Sequence, residues 1–99
     1  MQKTYFILKD KTPTPVDSHI EWAEWYQTSQ ERIVKETWIR GIHIATVFIG
    51  ISGVVFSSDL FMTVINGGPD HEKYINSSTY KEAEENHEKM VAKVKNLIN

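Results

Sequence analysis

The last fifth of the chain sets the first constraint on the fold. From Tyr80 onward, residues of one stripe return at steps of three and four: Tyr80, Ala83, His87, Met90, Val94 and Leu97, with Val91 and Ile98 widening it. That period predicts an amphipathic α-helix over about 79–97. Such a helix draws most of its stability from packing of its apolar face, so the rest of the chain must offer it a surface. Thr79 and Glu82 stand at capping-box spacing and mark its start. Glu82, Glu84, Glu85 and Glu88 fill the first half, and Lys89, Lys93 and Lys95 the second. This order complements the helix macrodipole. The stretch is short for a coiled coil, so packing on the chain's own sheet is expected, with a coiled-coil partner as the alternative.

The middle of the chain supplies strands. Thr4 to Leu8 is aromatic and β-branched and reads as a first strand. Pro13 and Pro15 predict an extended connection. A second helix is expected over about 18–31, opened by Ser18 and Glu21 at capping-box spacing, with Asp17 an equally good cap. Trp22, Trp25, Tyr26, Ser29 and Ile33 share one face of it. A strand-like run from Val34 to Trp38 then reaches a turn at Arg40-Gly41. Ile42 to Ile51 is apolar in both alternating sets, which predicts a central strand covered at least in part on both faces. Leu60 to Ile65 is its antiparallel partner, ended by Gly67-Gly68-Pro69-Asp70. The expectation is one α+β domain over 1–99: an antiparallel sheet of about four or five strands with two helices packed against it.

Composition removes several function classes. The formal net charge is −2, which offers no basic footprint for nucleic acid. There is no cysteine, hence no disulfide framework or thiolate metal site. The longest apolar region is interrupted and shorter than a membrane span. The first residues lack a signal-peptide pattern. A cytosolic setting is expected.

Few residues suggest chemistry. Glu84-x-x-His87 has the spacing of one half of a carboxylate-bridged metal site, but a single copy is weak and His87 lies in the apolar stripe. Asp70-His71-Glu72 could form an acid–base group, against the plainer reading of a solvated loop. No nucleophile-elbow, zinc-protease or phosphate-loop motif is present. Trp22, Trp25 and Trp38 invite stacking on a small ligand, with Trp22, Trp25, Arg40 and His71 the candidate site, although a tryptophan pair at the i, i+3 spacing of Trp22 and Trp25 usually packs in a core. The stretch GISGVVFSSD raises a different possibility. Val54, Val55 and Phe56 interrupt a Gly/Ser-rich loop, and exposed apolar clusters of this kind generally bind something. With Asp59 they are the expected protein interface. The plainer readings are a loop folded onto the core or a continued edge strand.

EWAEWYQTSQERIVKET, followed by HIATVFIGI, LFMTVINGG and TYKEAEENH, resembles a family of small bacteriophage- and prophage-encoded proteins with no assigned activity. The resemblance runs from about Val16 to His87. Ser52-Gly53 stand where the family tends to have Asp-His, and Met62 stands where it has an acidic residue. The resemblance implies a setting in the cytoplasm of a bacterial host. The resulting expectation is a non-enzymatic binding protein without cofactor or metal, inhibiting a bacterial defence protein stoichiometrically in the manner of anti-CRISPR proteins. A homodimer is a further expected partner, and a membrane is not. The rivals are a binder of a small molecule, such as a sponge for a defence signalling nucleotide, and a small enzyme using His71 or His87.

Overall fold

The computed structural model describes residues 4–52 and 59–98. Within them β1 (Thr4–Lys9) and β2 (Thr12–Val16) form a hairpin, turned by Asp10 and Lys11 at φ of 54° and 66°. Two consecutive left-handed residues are the signature of a type I′ turn, whose twist suits the strands it joins. The proline pair thus builds a strand where a connection was expected. It can do so because the Phe6 N–H is given to the Gly50 carbonyl at 2.7 Å, on the side away from β2. Pro15 lies opposite Phe6 and Pro13 opposite Leu8. Both prolines therefore fall at positions of an edge strand where no ladder donor is required.

Helix α1 (His19–Thr28) begins at Ser18, whose Oγ accepts from the Glu21 N–H at 3.1 Å. It stops at Thr28 rather than near 31, and a 3-10 turn over Gln30–Arg32 follows. Ile33 is consequently the first residue of β3 (Ile33–Ile39), not the last of a helical face. Arg40 and Gly41 form a second left-handed pair, at φ of 46° and 82°, leading into β4 (Ile42–Phe48). β5 (Ile51–Ser52), β6 (Phe61–Asn66), β7 (Tyr74–Ser77) and α2 (Tyr80–Ile98) complete the described elements.

All strand pairs are antiparallel, in the orders β2-β1-β5 and β3-β4-β6-β7. The class is the α+β arrangement read from the sequence, but among the described residues seven strands in two sheets replace the expected four or five in one. The predicted central strand is divided because β4 leaves its sheet at Ile49 and Gly50. Gly50 has φ of 76°, and a Cβ there would stand 2.5 Å from the Phe6 carbonyl oxygen and 2.7 Å from Trp22 Nε1. Only glycine fits this crossing. Trp22 Nε1–H donates to the Ile49 carbonyl at 3.2 Å and ties α1 to the same junction.

α2 starts as its spacing predicts, with the Glu82 N–H on Thr79 Oγ1 at 3.1 Å and Glu82 Oε1 reaching back to the Ser78 N–H at 3.2 Å. Its stripe lies on one face of the four-stranded sheet. Met90, Val91 and Val94 pack with Ile42, Ile44 and Ile65, and Ala83 joins Leu8, Phe48, Leu60 and Phe61 in a second cluster. Leu97, expected in the stripe, is exposed, and Ile98 packs against the first cluster instead.

Candidate functional site: the open face of the four-stranded sheet

Strand alternation sends Ile44, Thr46, Phe48, Phe61, Thr63 and Ile65 towards α2. The opposite set is Glu36, Trp38, His43, Ala45, Val47, Met62, Val64 and Tyr74. Neither described helix lies over this second set, because α2 packs on the first and α1 on β1 and β2. The central strand was expected to be covered at least in part on both faces. Among the described elements only one face has a helix on it. Trp38 and Tyr74 are 68% and 61% exposed.

The two-residue turn at Arg40-Gly41 fixes the register of this face. Trp38 pairs with His43 and His43 with Asn66, while Glu36 pairs with Ala45, Ala45 with Val64, and Val64 with Tyr74. The Trp38 and His43 rings stack at 4.2 Å between centroids and 21° between planes. Glu36 Oε1 lies 3.0 Å from His43 Nε2, and Asn66 Nδ2 lies 3.3 Å from His43 Nδ1. A carboxylate can only accept, so Nε2 carries the proton and Nδ1 accepts from the Asn66 amide. Both ring nitrogens are thereby occupied and the imidazole is held flat beneath the indole. The arrangement makes a firm aromatic platform beside an aliphatic row of Ala45, Val47, Met62 and Val64. Aromatic anchors over an apolar centre, with Glu36, Asn66 and Asn76 at the margin, match the anatomy of a protein interface.

The residues singled out from the sequence lie elsewhere. Val54, Val55 and Phe56 fall outside the described residues, and Asp59 is half-buried between β5 and β6. Trp22 and Trp25 are half-buried at the end of β4 near Ile49, where Trp25 meets Phe48 edge-on at 5.7 Å. They fill the seam between α1 and the sheets rather than a closed core. Arg40 sits at the other end of β4, donating to the Ile98 carbonyl at 3.1 Å. His71 is at that end too, its Nδ1 accepting from the Gly67 N–H at 2.7 Å. The length of a seven-residue strand, roughly 20 Å, therefore separates the tryptophans from Arg40 and His71. These four do not assemble into one site.

Asp70-His71-Glu72 is not wholly the solvated loop expected. Asp70 is only 8% exposed and holds Lys73 Nζ at 2.9 Å and Lys93 Nζ at 3.6 Å. The Lys73 hydrogen bond holds its carboxyl below the usual range, against the opposite pull of burial. Glu84 is exposed while His87 is fully buried, so the Glu84-x-x-His87 spacing does not converge on one point. His87 instead lies 2.8 Å from Thr37 Oγ1 through Nε2 and 2.8 Å from Thr46 Oγ1 through Nδ1, and Thr46 meets Thr63 at 2.7 Å. Burial, followed by the nearby Lys35 charge, pushes His87 below its ordinary pKa. Lys35 itself bonds Glu88 and lowers that carboxyl by hydrogen bond and charge.

Sequence reading weighed Trp38 only as an aromatic for a small ligand, beside Trp22 and Trp25, and did not single out Tyr74. A signal was present: Glu36 and Trp38 alternate within β3, and a two-residue turn places His43 opposite Trp38. Comparison with protein-family models, with curated proteins and with solved structures returned no match.

Proposed function

We propose that the protein acts by stoichiometric contact with another protein, through the open face of the four-stranded sheet. The observation that carries this reading is the Trp38–His43 platform, exposed on a face that neither described helix covers. An indole left in water forgoes the burial that a core position would provide, whereas a partner would supply it. The Glu36–His43–Asn66 bonds hold the platform before a partner arrives, which reduces the ordering that association must impose. The resemblance to phage and prophage proteins makes a bacterial defence component the proposed partner and the host cytoplasm the proposed setting.

The test is capture from a bacterial host lysate with the wild-type chain and with a Trp38→Ser/Val47→Asp double variant, after matched melting curves. The wild type should recover a complex of fixed stoichiometry. Loss of an aromatic anchor typically removes ~2 kcal/mol or more, so the variant should bind at least about thirtyfold more weakly. Full retention of the complex would remove this face from the binding surface. A nucleotide carried through purification by the wild type, with no protein partner, would favour the small-molecule rival.

A further inference from the structure

β7 ends the four-stranded order, and α2 runs beside it. Between them lies a cleft of about 490 Å³, bordered by Glu72, Lys73, Tyr74 and Ile75 on the strand side and by Lys89, Met90 and Lys93 on the helix side. Ile75 and Met90 belong to the first hydrophobic cluster and give the cleft an apolar floor. Its exposed rim sets three lysines against Glu72 and is net cationic.

The ladder determines which main-chain groups face this cleft. The Ile65 N–H donates to the Lys73 carbonyl at 3.0 Å. In an antiparallel pair, residues that bond their partner alternate with residues that do not. Lys73 gives β6 its carbonyl, while its N–H closes a turn on the Asp70 carbonyl at 3.0 Å and the Glu72 N–H takes the Ile65 carbonyl at 2.7 Å. Along the strand, Ile75 and Ser77 turn their N–H and C=O groups to β6. Tyr74 and Asn76 turn theirs outward, where the described sheet has no further strand. An edge of this kind is a template for another extended chain.

The charges give the occupant its sign. Asp70 anchors Lys73 and Lys93 from beneath. Glu72 is drawn towards His71, with 3.5 Å between its Oε1 and His71 Nε2. Lys89, one turn before Lys93, makes no ion pair among the described residues. We infer that the groove takes an extended, acidic peptide segment of a partner protein, which adds as a further strand along β7. Its main chain bonds the outward groups of Tyr74 and Asn76, and its carboxylates meet the lysines. A small anion would use the ammonium groups alone, whereas outward donors and acceptors at strand spacing match a main chain. Tyr74 and Asn76 also carry side chains on the open face, but Trp38 lies on β3 at the opposite edge of the sheet, so its substitution separates the two readings.

The probe is a fluorescein-labelled Glu-Val-Glu-Val-Glu-Val hexapeptide, with the same peptide carrying Lys for Glu as control. The acidic peptide should bind at least about tenfold more tightly, the factor carried by one interaction of ordinary strength. Amide exchange at Tyr74 and Asn76 should slow on binding. Asn76→Pro removes an outward N–H and leaves the β6 ladder intact, so it should weaken binding by roughly tenfold. Lys89→Glu should weaken it comparably and decides the matter if the proline variant alters the fold. Trp38→Ser should leave peptide binding unchanged. The inference is overturned if neither peptide binds, or if both bind alike. It is also overturned if inorganic phosphate binds the lysines and peptide addition leaves the Tyr74 and Asn76 amides unprotected. Self-association that protects those amides would assign the edge to a second copy and overturn it too.

Discussion

The two faces of the four-stranded sheet use the same residue types for opposite ends. On the α2 side, which also buries Ile44, Phe48, Phe61 and Val94, His87 is fully buried and bonded through both ring nitrogens to Thr37 and Thr46. On the open side, His43 is also bonded through both nitrogens, to Glu36 and Asn66, yet it supports an indole that faces water. Hydrogen bonding alone does not separate the two. The difference lies in what the ring is pressed against: neutral hydroxyls and hydrocarbon in one case, a carboxylate and an exposed aromatic in the other. A buried polar group must be satisfied or it destabilises the fold, so His87 is held by the packing around it. An exposed group could bond water instead, so the His43 arrangement adds order to a surface more than stability to a core.

The largest effect should come from contrasting the two faces by truncation. Phe61 is fully buried, and Phe61→Ala should cost about 3–5 kcal/mol, a large share of the ~5–15 kcal/mol of a typical domain. Denaturant melts would show it directly. Trp38→Ser should shift the same melts far less. Comparable losses would mean that the open face is packed in solution and would break the comparison.

A second prediction concerns pH. His87 titrates below its ordinary value of 6.5 in the fold because burial disfavours the imidazolium. The unfolded chain therefore binds this proton more readily, and stability rises with pH between the folded and unfolded pKa values. The contribution is complete above 6.5 and is lost as pH falls through the folded pKa. His87→Leu should abolish that slope. It should also lower stability at neutral pH by roughly 1–3 kcal/mol, since Thr37 and Thr46 would lose their ring partner. A slope unchanged in His87→Leu would assign the acid sensitivity to other groups.

The smallest effect sharpens the same point. Lys35 and Glu88 form an exposed ion pair, and removing such a pair typically changes stability by less than about 1 kcal/mol. Lys35 also disfavours the His87 imidazolium, while Glu88 acts in the opposite sense. Lys35→Ala should raise the His87 pKa and narrow the pH window without changing the melt at neutral pH appreciably. Proton NMR titration of the His87 ring would record the shift. A downward shift would show that the charge does not act through this pair.

The elements with a strong local signature were legible from sequence. Thr79 with Glu82 and Ser18 with Glu21 form the caps their spacing predicts, and the residues from Ala83 to Val94 bury the stripe read from their period. β4 and β6 pair as the apolar runs suggested. The turn at Arg40-Gly41 stands where it was read. β2 was not legible, since Pro13 and Pro15 argue against a strand unless one knows that it lies at an edge. β7 was hidden by a short polar sequence whose burial comes from neighbours: Ser77 is fully buried and accepts from Asn86 Nδ2 at 2.8 Å.

Periodicity, caps and turn residues act within a few residues, and the sequence by itself therefore determined the two helices, the main strands and the α+β class. It did not determine which face of the central strand would be left open. Both alternating sets of Ile42 to Ile51 are largely apolar, so hydrophobicity favours covering either. Tertiary structure made the choice. α2 brings His87 to meet Thr37 and Thr46, which satisfies the polar atoms buried on that face. Gly50 turns the chain into the smaller sheet, where α1 packs on β1 and β2. Contacts between residues far apart in the chain, such as Trp22 with Ile49 and Thr46 with His87, carry that decision, and no local pattern encodes them.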